Sequence, residues 1–314
     1  MKNTLFAIGE ALIDFIPTET SCDFGNVKSF SPKVGGAPAN VLGAFAKLGG
    51  KTQLITQLGD DPFGDKIAKE LAGFNIGLEN VLFTDRANTA LAFVSLANDG
   101  NRTFSFYRNP SADMLYNAEN INEEMLEDCY ALHFCSVSLG DFPMKEAHKK
   151  AIKLAKKQGA IISFDPNLRF PLWNDKQKLK EAIDEFLPEA DIIKISDEEI
   201  EFITGTKDIG KGSKILLKNA KIVLCTCGAE GAYAFTKNAQ VYVPSEKVKA
   251  VDTTGAGDAF NGSFLYNLYR KGYERDTLDA ISKDELKQFV KASNDYCGKS
   301  VQRQGAIDSY PDVM

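Results

Sequence analysis

The stretch VDTTGAGDAFNGSFLYNLY, residues 251–269, sets three small residues and a carboxylate at the mouth of a helix-like run. Gly255, Ala256 and Gly257 leave room for an anion to reach backbone amides, because a helix N-terminus presents unpaired N–H groups and a partial positive charge. Asp258 follows directly. A carboxylate repels phosphate, so it is not there to bind one. It suits a group that takes a proton from a hydroxyl as that hydroxyl attacks phosphorus. Aspartate is also a favourable early-helix residue in its own right. The four residues alone leave both readings open.

Other phosphate signatures fail. Gly50-Lys51-Thr52 and Gly298-Lys299-Ser300 have Phe45 and Ser293 where a Walker loop needs its first glycine. The dinucleotide fingerprint breaks at Phe260, and no protein-kinase H-R-D or D-F-G set is present.

Outward from this motif, β-rich runs alternate with amphipathic helix patterns. TLFAIGE reads as a first strand, and GAPANVLGAFAKLGG carries Val41, Leu42, Phe45 and Leu48 on one helix face that closes on Gly49-Gly50. KTQLITQLG reads as the next strand and FGDKIAKELAGFN as the next helix. Later strands are AIISFDP, ADIIKIS and KIVLCTCG, with helices at about 145–158, 176–187, 257–271 and 284–299. This alternation predicts an α/β fold with a mainly parallel sheet.

Residues 11–34 and 86–109 depart from that rhythm. The second holds two β-rich arms around Asn98-Asp99-Gly100-Asn101, a hairpin signal. Together they predict a small antiparallel sheet projecting from a core made of 1–10, 35–85 and 110–314. Such a sheet serves as a lid, an interface, or both.

Of the 314 residues, 44% are hydrophobic and 25% charged, ordinary for a globular chain with a sizeable core. The net charge of −6 argues against a nucleic-acid partner but not against ATP, for which a local positive potential suffices. The N-terminal apolar run, broken at Glu10, is too short for a signal peptide, and no stretch approaches a membrane span. Six scattered cysteines, several within apolar runs, point to buried thiols in a reducing cytoplasm. Cys225-Thr226-Cys227 has no second Cys/His pair nearby to complete a zinc site.

Paired in this order, VGGAPANVLGAFAKLGG (34–50) and DTTGAGDAFNGSFL (252–265) resemble the two signatures of the ribokinase-like (PfkB) carbohydrate kinases, and the resemblance runs over essentially the whole chain. It implies a ribokinase-like three-layer α/β/α domain with a small β-sheet lid, and phosphoryl transfer from ATP to a sugar hydroxyl. GEALIDFIP (9–17), FYRNPSADML (106–115), FDPNLRFPLW (164–173) and KISDEEIEFITG (194–205) are most similar to the fructokinase branch, which implies the 6-OH of D-fructose as acceptor. The 2-keto-3-deoxygluconate kinases share Arg108, Ser111 and Ala112 and stand as the alternative. A regulatory homologue that binds without catalysing is the non-enzyme alternative; the retained Asp258 and glycines speak against it.

The resemblance assigns roles. Asp258 is the base, Gly255, Ala256 and Gly257 form the anion hole, and Arg169, beside Asp165 and Asn167, steadies the ATP phosphates. Asp14, Gly35, Gly36 and Asn40 hold the sugar, with Arg108 near it and Phe104 or Phe106 covering it; Asn40 also fits a helix cap. Thr226, Gly228 and Gly231 match the nucleotide loop, and Asn294 an adenine-side position. Mg²⁺ is held through water by Glu199, where the family's N-x-x-E reads Ser196-Asp197-Glu198-Glu199; Ser196 and Glu199 equally fit a capping box. K⁺ activation implies a site from Asp252, Thr254, Ser300, Arg303, Gly305 and Ser309. A lid with exposed edges and aromatic residues suits a homodimer.

Overall fold

The computed structural model describes residues 2–19, 24–96, 102–173 and 175–314, with side chains left out at 95–96 and 102–104. The Asn98–Asn101 turn and the Phe104 side chain therefore lie outside the described residues.

Runs of β-branched residues form the central strands. These are β1 (Thr4–Ile8), β4 (Lys51–Gly59), β5 (Val81–Thr84), β8 (Cys129–Cys135), β9 (Ile161–Asp165), β10 (Ile192–Ser196), β11 (Ile222–Thr226), β12 (Gly231–Phe235) and β13 (Gln240–Pro244). They lie in the order β13-β12-β11-β10-β9-β8-β1-β4-β5. Pairing is parallel from β5 through β11, and β12 and β13 then close the edge as an antiparallel hairpin. Continuously buried strands such as FAI and IIS need cover on both faces, and they have it.

One face is covered by α1 (Ala37–Lys47), α2 (Pro62–Gly73), α7 (Ala256–Arg270) and α8 (Lys283–Ser300), built on Val41, Phe45, Ile67, Phe264 and Phe289. The other is covered by α3 (Pro143–Lys157), α4 (Lys176–Phe186), α5 (Ile200–Thr204) and α6 (Ile209–Leu216), with Met144, Ile152, Ile183 and Leu216 inward. This is a three-layer α/β/α fold. The chain runs from β1 to β4 on one side and later to β8 on the other, so strand order reverses at β1. The crevice at the carboxyl ends of strands flanking such a reversal is where open α/β sheets place ligands.

A second sheet, β3-β2-β6-β7, is built from β2 (Leu12–Pro17), β3 (Phe30–Gly35), β6 (Ala90–Leu96) and β7 (Arg102–Tyr107). It is mixed rather than antiparallel, because β2 pairs with β6 in parallel. The reason lies in the connection. β2 leaves from the end of β1 and β6 follows β5, two parallel strands of the core, so both strands of the small sheet depart in the same direction. Phe15 stacks on Phe93 at 4.5 Å between ring centres, and Phe30 meets Phe93 edge-on at 5.3 Å, giving the small sheet an aromatic face.

Candidate active site

Two helix N-termini converge at the reversal point. α1 and α7 pack so closely that Gly262 lies against the Val41 carbonyl. Each begins on a glycine with positive φ, Gly36 at 113° and Gly255 at 72°, and neither has a side-chain cap. In α7 the Ala256 N–H is turned back onto the Thr253 carbonyl at 3.2 Å. The amides of Gly257 and Asp258 have no hydrogen-bond partner among the described residues. Ala256 thus shapes the turn, while the Gly257 and Asp258 N–H groups are left as donors at the helix start.

Asp258 is 9% exposed. Its Oδ2 accepts a hydrogen bond of 2.9 Å from Asn40 Nδ2, which places Asn40 inside α1 and facing the site rather than capping the helix. Burial pushes the Asp258 carboxyl up to about 6, and Asp165 pushes the same way; the Asn40 bond, Lys194 and Arg169 oppose them. The group is ionised at neutral pH and basic enough to take up a proton. Asn40 Oδ1 is buried without a partner among the described residues.

Lys194, which the motif reading passes over, lies beneath the hole. Its Nζ donates to Asp165 Oδ2 at 2.9 Å, and both side chains are buried. A Cβ on Gly257 would come within 2.9 Å of this ammonium, so a side chain there would push the lysine tip aside. Burial works against the lysine's charge, but Asp165, Glu199 and Asp258 outweigh it and hold its pKa above the ordinary value. Asp165 Oδ1 accepts from the Asn167 N–H at 3.1 Å, fixing the turn that carries Arg169 at the sheet's carboxyl edge. The strand signal held a clue to Lys194: it is the one charged residue inside the apolar run IIKIS.

On the lid side, Asp14 on β2 lies over Gly35, where a Cβ would come within 2.2 Å of Asp14 Oδ2. Arg108, just past β7, is buried rather than surface-exposed. It pairs with Asp113 and donates to the Val137 carbonyl at 3.4 Å. Its Nε is buried without a partner among the described residues. Behind it, Glu10 accepts from Ser138 Oγ at 3.0 Å; burial lifts its carboxyl to about 7 against the pull of Arg108. Glu10, Asp113 and Ser138 carried no motif signal, because their partners are remote in sequence.

Thr226, Gly228 and Gly231 lie at the carboxyl end of β11 and the turn into β12, and Asn294 lies buried in the second half of α8. Thr226 ends β11, and Gly228 has open space around it. Gly231 starts β12 against the Val243 carbonyl, and Asn294 Nδ2 donates to that same carbonyl at 2.9 Å. Asn294 also borders a groove of about 290 Å³ with Glu246, Val248 and Gly298.

Glu199 accepts from the Leu168 N–H at 2.7 Å and the Ser196 N–H at 2.8 Å. The second of these closes the turn between β10 and α5, whose N-cap is Glu199 itself without a side-chain cap, so the expected capping box does not form; the first ties the Arg169 turn to that turn. Both oxygens keep lone pairs for water, so the residue fits a cation held through water, with Asp165 and Asp197 as near acidic groups on the same edge. Among the described residues no group of three His, Cys, Asp or Glu is placed to ligate a metal directly.

Residues 252–254 and 300–309 come together beside the hole. Asp252 Oδ1 accepts from the Thr254 N–H at 2.9 Å and Oδ2 from the Gly305 N–H at 3.0 Å. The Asp252 N–H donates to the Val301 carbonyl at 3.2 Å, the Arg303 N–H to the Ser300 carbonyl at 3.1 Å, and Ser309 Oγ to the Ala306 carbonyl. This oxygen-rich cradle suits a hard monovalent cation. Arg303 contributes backbone to it; its side chain is exposed. Among the described residues no helix is long and apolar enough to cross a membrane.

An uncapped helix start with a buried carboxylate thus sits at a strand reversal, faced by a small sheet. The model of the pfkB family carbohydrate kinases matches residues 2–313, and the chain belongs to that family. It is 40% identical over 313 residues to the probable fructokinase-2 of Arabidopsis thaliana, covering 99% of this chain and 93% of the relative. Its structure is similar to that of the ATP-bound fructokinase of Xylella fastidiosa, with a TM-score of 0.89, 33% identity and coverage of 99% and 96%. It is also similar to a fructokinase double mutant from Vibrio cholerae O395 in fructose-, ADP- and potassium-bound form, with a TM-score of 0.86, 31% identity and the same coverage.

Proposed function

We propose that this chain is an ATP-dependent fructokinase that transfers the γ-phosphoryl group to the 6-OH of D-fructose. The observation that carries the reading is the buried Asp258, bonded to Asn40 of the sugar-side helix and set at the uncapped start of α7. Asn40, Asp14, Gly35 and Gly36 orient the sugar so that its hydroxyl reaches Asp258. Asp258 accepts the proton as oxygen attacks phosphorus, and the Gly257 and Asp258 amides receive the charge on the transferring group. Arg169 steadies the phosphates from the opposite strand end. Thr226, Gly228 and the Asn294 groove hold the nucleotide. Glu199 would hold Mg²⁺ through water, where it would neutralise the ATP phosphates, and the 252–254/300–309 cradle would take K⁺ beside the loop that carries the hole. The β2-β3-β6-β7 sheet excludes water when the sugar is bound.

A neutral sugar is favoured over a keto-deoxy acid because the Arg108 guanidinium is already neutralised by Asp113. Tyr107, 60% exposed, and Phe24, 42% exposed, border the aromatic face of the lid and support a homodimer through that sheet, which sedimentation at working concentration would reveal as twice the chain mass.

The test is ADP release with Mg-ATP across fructose, glucose, ribose, 2-keto-3-deoxygluconate, fructose 6-phosphate and adenosine, with the product's phosphorus position read by NMR. Fructose turnover yielding a 6-phosphate is expected. A preference for the keto-deoxy acid would overturn the substrate assignment, and silence on every sugar would overturn the enzyme.

A further inference from the structure

The anion hole is braced from behind by two side chains remote in sequence. Tyr310, 1% exposed and near the C-terminus, donates its hydroxyl to the Gly255 carbonyl at 2.8 Å. Cys297 on α8 points its thiol at the Ala256 carbonyl, with 2.9 Å between sulfur and oxygen. Each peptide unit is planar, so its carbonyl and the following N–H point in opposite directions. Fixing the Gly255 carbonyl fixes the Ala256 N–H, which closes the turn onto Thr253. Fixing the Ala256 carbonyl fixes the Gly257 N–H, one of the two unpartnered donors. The tyrosine brace is itself held in place. The Tyr310 ring packs against Tyr296, whose hydroxyl reaches the Ala44 carbonyl of α1 at 3.4 Å, and the Ile307–Ser309 turn seats Ile307 against Gly43.

Resting on the phosphoryl-transfer reading above, we propose that Tyr310 and Cys297 are positioning residues that aim the anion-hole amides by holding the carbonyls on the far side of the same peptide planes. Neither touches the reacting atoms. Both stay protonated, and therefore donors, at working pH: burial raises the Tyr310 hydroxyl far above its ordinary value and the Cys297 thiol to about 12. Their contribution belongs to the transition state, because the aimed amides fit the flattened transferring phosphoryl group rather than the tetrahedral γ-phosphate of bound ATP.

The experiment compares Tyr310→Phe, Cys297→Ala and Cys297→Ser in the full chain. Tyr310→Phe and Cys297→Ala are each expected to lower kcat about tenfold, less than the loss of a hole donor itself. The KM values for fructose and ATP and the melting temperature should stay unchanged. Affinity for ADP with aluminium fluoride, a stand-in for the transferring phosphoryl group, should fall by the same factor as kcat. Cys297→Ser, which keeps a donor, should restore most of the rate. Unchanged kcat in both, or a serine variant no better than alanine, would overturn the proposal, as would KM rising in step with the loss of kcat. If Tyr310→Phe fails to fold, the alanine–serine pair at 297 decides. A wild-type chain without turnover on fructose refutes the fructokinase reading, whereas variants matching an active wild type refute only the bracing role.

Discussion

Asp258→Asn is expected to lower kcat for fructose phosphorylation by about 10³-fold, within the range general-base catalysis supplies, with fructose and ATP binding retained. The same substitution should stabilise the fold. Burial raises the Asp258 carboxyl from 3.8 to about 6, so ionising it in the folded state is costly. The sign follows from proton counts: between those values the folded chain binds more protons than the unfolded chain, and stability falls as pH rises through the window. Above about pH 6 the penalty is complete, at roughly 3 kcal/mol for a shift of about two units. Asparagine carries no such charge and can still accept the Asn40 hydrogen bond. Denaturant midpoints should therefore place the variant above wild type at pH 8 and level with it near pH 3.5. A variant that is slow and no more stable at pH 8 would mean the carboxylate is better solvated than its burial implies.

Lys194→Met should do the reverse, costing about 3–5 kcal/mol because it leaves Asp165 buried and unpaired. Met matches the length of the lysine stem, so packing is largely retained and the loss reads the charge. Removing Asp165 as well, as Asp165→Leu with Lys194→Met, should recover much of the stability, since a buried pair replaced by apolar groups is often neutral. The double variant should still be a poor kinase, because the ammonium against Gly257 adds positive potential beneath the hole. Urea unfolding of the three proteins checks the first part and kcat the second. A single variant that loses under about 1 kcal/mol would show that water reaches Asp165.

The parallel sheet and its helices were legible because their signals are local. KTQLITQLG is β4 to the residue, and the last helix, expected at about 284–299, runs Lys283–Ser300. The two glycine motifs likewise announced both uncapped helix starts. What the sequence hid was long-range. The parallel pairing of β2 with β6 depends on where two core strands end, which no local pattern encodes. The β12–β13 hairpin lies beyond the strands read from the sequence, although QVYVP alternates as an edge strand does. Asn40 had two local readings, cap or ligand, and only the packing of α1 on α7 selects the contact with Asp258. The Ala256 N–H bonds to the Thr253 carbonyl because Gly255 turns left-handed before the helix begins, a contact the motif alone does not show. Lys194 was visible as a charge in an apolar strand, a position that burial makes expensive unless a partner waits.

The claim that Asp258 is the proton acceptor is tested most directly by the single-turnover rate of fructose phosphorylation between pH 5 and 9, with Mg-ATP and fructose saturating. The rate should fall about tenfold per unit below an apparent pKa near 6 and level off above it, following the ionisation of the buried carboxyl. A rate that stays flat from pH 5 to 8 in a chain that phosphorylates fructose would contradict the assignment of Asp258 as base.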